Sequence, residues 1–72
     1  MRAGEITVSS DALLNLLRAA INSGEGALER GELSAQMVQV LTIFMRQVQF
    51  WGGGCRSVLL VFEPATVTCA AQ

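Results

Sequence analysis

The sequence contains no histidine and no lysine, one proline, one tryptophan and two cysteines, and only 15% of its residues are charged. Without histidine the chain lacks the usual general base and the commonest metal ligand. Two cysteines with no cluster of carboxylates make a structural metal site a poor expectation, and no cofactor motif is present. The missing lysine leaves five arginines against six acids, a net charge of −1. That balance supports neither a nucleic-acid surface nor a polybasic membrane contact. Together with abundant Ala and Gly, it fits a high-GC coding genome, bacterial or phage.

Long apolar runs are also missing. The longest is Val58 to Phe62, far short of the ~20 residues that span a bilayer. Nor does the start, Met1-Arg2-Ala3-Gly4-Glu5, resemble the apolar core of a secretion signal. The expected compartment is a reducing cytoplasm, with Cys55 and Cys69 as thiols.

The sequence does have apolar surface in excess. Hydrophobic residues make up 51% of 72 residues, and a chain this short buries only about 60% of the surface it exposes when unfolded. With so few charges to disperse it, part of the remaining apolar surface is expected to meet another chain. Oligomerisation is the expected supplement to the small core.

From Leu33 to Trp51, apolar residues recur with the helical period: Leu33, Met37, Val40, Leu41, Phe44, Val48 and Trp51 form one stripe. Gln39, Thr42, Arg46 and Gln49 fall opposite. Val38 and Met45 lie on one flank of the stripe, Ile43 and Phe50 on the other. The apolar surface is wider than one layer of partner structure needs. Trp, Met and Phe are enriched in interface cores, so Val38, Ile43, Met45, Phe50 and Trp51 are the candidate protein-interface residues. Ser34 is placed to cap this helix.

An earlier helix is expected over Asp11 to Asn22, capped by Ser9 or Ser10. Its polar residues Asp11, Asn15, Arg18 and Asn22 share a narrow sector, which predicts packing on more than one side. Gly24 suits its C-terminal cap. The joint between the helices holds Glu25, Glu29 and Glu32, half of the acids, and reads as a solvated segment able to face a basic partner.

Three short segments read as strands. Glu5–Ser9 alternates polar and apolar residues. Ser57–Glu63 is a near-continuous apolar run, expected to be central and buried on both faces. Thr66–Ala70 alternates again, with Val67 and Cys69 inward, after a turn at Pro64. The order β-α-α-β-β predicts a single α+β domain over residues 1–72. Its two helices would pack on one face of a mostly antiparallel three-stranded sheet. A rival arrangement leaves the first strand unpaired within the chain and joins it to a second copy. With the turn at Pro64, Cys69 should sit opposite Leu59 or Leu60, too far from Cys55 for a bridge.

Gly52-Gly53-Gly54 ends the main helix, and with Arg56 it offers amide and guanidinium donors to an anion or a nucleotide. The phosphate-loop pattern is incomplete, because the loop leads into a strand and not a helix. Cys55, beside Arg56, has positive charge to favour a thiolate but no histidine to serve as its base.

Ile6-Thr7-Val8 followed by Ser10-Asp11-Ala12-Leu13-Leu14 and a second helix resembles the ribbon-helix-helix repressors over about fifty residues. That resemblance implies a dimer whose paired strands enter DNA. The strand departs from the pattern in carrying neither Lys nor Arg.

The leading expectation is a small non-enzymatic interaction protein. It would be a homodimer, accessory or inhibitory in role, using an apolar helix face against itself or a protein target. DNA-binding repressor and small-anion binder are the alternatives, and no membrane contact is expected.

Overall fold

The computed structural model describes residues 4–71. Its elements follow the expected order: β1 Glu5–Ser9, α1 Ser10–Ser23, α2 Ala35–Trp51, β2 Ser57–Phe62 and β3 Ala65–Ala71. The sheet has the order β1-β2-β3, and both pairings are antiparallel. The chain is therefore a small α+β fold with β2 in the middle.

Each boundary has a local cause. Ser9 caps α1, its hydroxyl accepting from the Ala12 N–H at 3.1 Å, and Ser34 does the same for Met37 at 3.1 Å. Gly52 ends α2 in the left-handed region at φ 61°, where a side chain would be strained. Its N–H donates back to the Val48 carbonyl at 3.2 Å. The joint between the helices is more ordered than a solvated linker. A 3-10 turn spans Glu25–Ala27, Ala27 is buried, and Arg30 bonds both the Ser23 carbonyl and the Glu32 carboxylate.

Val40, Leu41 and Phe44 from α2 meet Leu13 from α1 and Val58, Leu60 and Val67 from the sheet. This is the predicted stripe, with its centre fully buried and Leu33, Met37, Val48 and Trp51 half-buried around it. α1 sits against β1, whereas α2 lies over β2 and β3. The two helix backbones consequently approach each other sparsely.

Four expectations need correction. First, Cys55 and Cys69 are joined in a disulfide, with Cα atoms 5.8 Å apart. The two-residue turn Glu63-Pro64 pairs Phe62 with Ala65, which sets Cys69 opposite Val58 and not Leu59 or Leu60. A register shift lies just beyond, between Val58 and Ser57, with Ala70 as the extra residue, and the chain entering β2 brings Cys55 to Cys69. Second, β2 is covered on one face only. Val58 and Leu60 lie under the helices, while Leu59 and Val61 are half-buried on the opposite face between Thr7, Thr66 and Thr68. Third, α1 packs on one side: Leu13 is buried, but Ile21 keeps 65% of its surface and Leu16 38%. Fourth, β1 pairs within the chain along β2, so the rival arrangement with an unpaired first strand does not occur.

Candidate interaction surfaces

Because α1 lies against β1 and α2 over β2 and β3, a groove opens between the helices. α1 contributes Leu17, Ala20 and Ile21 to its wall, α2 contributes Val38, Leu41, Thr42 and Met45, and Leu33 closes one end. Its volume is about 190 Å³. Thr42 is the single polar side chain, and its hydroxyl is turned onto the Val38 carbonyl at 2.8 Å. No charged group lines the groove. An apolar cavity of about 150 Å³ admits a benzene-sized guest, so this one has room for a leucine or phenylalanine side chain. A neighbouring recess shares Ala20 and Leu33 and brings Ala27 and Glu32 to the closed end.

The five candidate interface residues fall into three groups. Val38 and Met45 belong to the groove, and Met45 keeps 43% of its surface. Ile43 and Phe50 stand on the opposite flank of α2, and Phe50 is 84% exposed. Trp51 faces neither solvent-side surface. It is half-buried, with its ring 6.3 Å from that of Phe44 and tilted by 58°. It therefore works as part of the core's edge.

The α1 side of the groove was not anticipated. Its signal was present in the narrow polar sector of α1, which leaves Leu17 and Ile21 on apolar circumference that β1 is too small to cover.

At the glycine loop, two of the three amides are already engaged. Gly52 N–H donates to Val48 and Gly54 N–H to the Trp51 carbonyl at 3.1 Å. Arg56 is exposed, and its carbonyl accepts from the Ser10 N–H at 2.8 Å. That leaves Gly53 N–H and the Arg56 side chain as donors without a partner in this loop. Cys55, considered above as a thiolate, is buried and bridged. Glu25 and Glu29 are exposed on the joint, while Glu32 pairs with Arg30.

Among the described residues, no three His, Cys, Asp or Glu side chains gather where a metal ion could be held. Among the same residues, no helix is long and apolar enough to cross a membrane. No protein-family model matches the chain, no curated protein is significantly similar to it, and no solved structure matches it.

Proposed function

We propose that this chain is a non-enzymatic interaction module that holds a helical segment of a protein target in the groove between α1 and α2. The supporting observation is the groove itself: seven apolar side chains and one internally bonded threonine, open to solvent and uncharged. Helix-in-groove recognition uses surfaces of this kind, with anchors spaced along one face of the ligand helix. The acidic joint beside the closed end, Glu25, Glu29 and Glu32 against the single Arg30, favours a ligand helix with basic residues. An accessory or inhibitory role follows from binding without chemistry.

The cytoplasmic location expected from the sequence rested on its short apolar runs and carried free thiols with it as a consequence. The Cys55–Cys69 bridge favours an oxidising compartment in its place.

Calorimetric titration with a synthetic Leu/Arg amphipathic helix of about four turns tests the proposal. Saturable binding is expected, weakened at least about tenfold, or ~1.4 kcal/mol, by Met45→Asp. Absent binding, or equal binding by the variant, would overturn it.

A further inference from the structure

α1 forms one wall of the groove, yet little fastens it. Its buried residues are Ser10 and Leu13. Its backbone packs chiefly on β1 and on the 3-10 turn, its neighbours in sequence. The hydrogen bonds that reach a distant part of the chain start from Ser10. Its hydroxyl donates to the Cys55 carbonyl at 2.6 Å, and its N–H donates to the Arg56 carbonyl at 2.8 Å. α1 is thus moored at its first residue to the segment that leads into β2.

That segment follows a pliable stretch. Gly52-Gly53-Gly54 come just before Cys55, and glycine has the most backbone freedom to regain when a constraint is lifted. Cys55 precedes the first residue of β2, Ser57, and lies outside the ladder. The bridge ties it instead to Cys69 on β3, a strand held by its pairing with β2. Ser10, Cys55 and Cys69 therefore form one line of attachment from α1 to the sheet. The groove residues Leu17, Ala20 and Ile21 lie far along α1 from this mooring. At 1.5 Å per residue Ile21 is about 16 Å from Ser10, so a small tilt at Ser10 displaces the wall substantially.

We infer that the Cys55–Cys69 bridge is a redox control on the α1–α2 groove, an inference that rests on reading that groove as the binding site. Oxidised, the bridge holds α1 in its binding position. Reduced, it lets α1 swing away and the target leave, while α2 and the sheet keep their own packing. The reductant is a dithiol. Cys55 is buried and Cys69 half-buried, so a thiolate of the dithiol attacks the Cys69 sulfur. The S–S bond breaks, and Cys55 leaves as a thiolate that takes a proton from water. The second thiolate of the dithiol then displaces Cys69 from the mixed disulfide, and Cys69 is protonated in turn. Two electrons pass to the protein, and the reductant ends as a disulfide. The chain thus holds its target where the bridge forms and releases it where dithiols are present.

Residue-resolved amide exchange and calorimetric binding of the Leu/Arg peptide, each with and without dithiothreitol, test the inference. Both are run below the melting transition of the reduced protein. A 14-residue helix without packing is marginal in water, so a released α1 shows as lost amide protection. Reduction should speed exchange over residues 16–22 and raise the peptide dissociation constant, each at least about tenfold. Amides of residues 40–44 and 58–60 should stay protected. Ser10→Ala keeps the bridge but removes the hydroxyl that links α1 to it. The oxidised variant should bind more weakly than wild type and respond less to reductant. Unchanged α1 exchange on reduction would overturn the inference, as would peptide binding that ignores the reductant. So would loss of protection in α1, α2 and β2 together, or a Ser10→Ala variant with the full wild-type response. If the oxidised protein takes no peptide, the reading of the groove fails, and the exchange comparison still decides whether the bridge governs α1.

Discussion

The Ser10 hydroxyl donates a 2.6 Å hydrogen bond to the Cys55 carbonyl, across 45 residues of sequence. One residue further on, the Arg56 carbonyl accepts from the Ser10 N–H. Cys55 is in turn bridged to Cys69 on β3. The start of α1, the loop after α2 and the outer strand are therefore tied at one corner, and this tie holds the two helices at their separate stations on the sheet.

Among the described residues, Ser10 is the one polar residue in the buried set. Removing its hydroxyl would leave the Cys55 carbonyl without that partner, which costs about 1–3 kcal/mol. Ser10→Ala should lower the urea midpoint by a corresponding amount. Ser9→Ala, which removes the exposed N-cap one residue earlier, should cost ~1 kcal/mol. A smaller loss at Ser10 than at Ser9 would deny the corner its role.

The Cys55–Cys69 bridge closes a segment with a sequence separation of 14. Cross-linking a loop of about fifteen residues stabilises a fold by roughly 3 kcal/mol through the unfolded chain. Small domains have only about 0.05–0.15 kcal/mol per residue in hand. Melting curves with and without reductant should therefore differ by many degrees, and a Cys55→Ala, Cys69→Ala double variant should behave like the reduced protein. Identical curves would mean that the bridge contributes nothing.

Phe44 and Phe50 lie on the same helix and should respond in opposite ways. Phe44 is fully buried, so Phe44→Ala should cost about 3–5 kcal/mol. Phe50→Ala, at a side chain 84% exposed, should change stability by no more than ~0.5 kcal/mol. A large cost at Phe50 would show that the side chain is covered.

Elements were legible in the sequence wherever period and caps agreed. The stripe from Leu33 to Trp51, the serines at 9 and 34, and the glycines at 24 and 52 set both helices. β2 was recognised as central from its apolar run, but its second covered face was not there to find. Leu59 and Val61 are shielded by neighbouring threonines on the sheet, which a one-dimensional pattern cannot distinguish from a covering layer. The disulfide escaped for a related reason. It depends on the two-residue turn at Glu63-Pro64, which sets Cys69 opposite Val58, and register is fixed by turn geometry more than by composition. The groove was half visible: Val38 and Met45 stood out as excess on α2, while Leu17 and Ile21 passed as core of α1. That Leu17 is only half-buried and Ile21 exposed follows from where α1 sits on the sheet, and no helical wheel carries that information.

The most direct measurement is a methyl NMR map of the protein titrated with the Leu/Arg amphipathic peptide. Shifts concentrated on Leu17, Ile21, Val38, Leu41 and Met45 are the predicted result, since these side chains line the groove. Shifts confined to Leu59 and Val61 on the open sheet face, or no shifts at all, would contradict the assignment of the α1–α2 groove as the surface through which this chain acts.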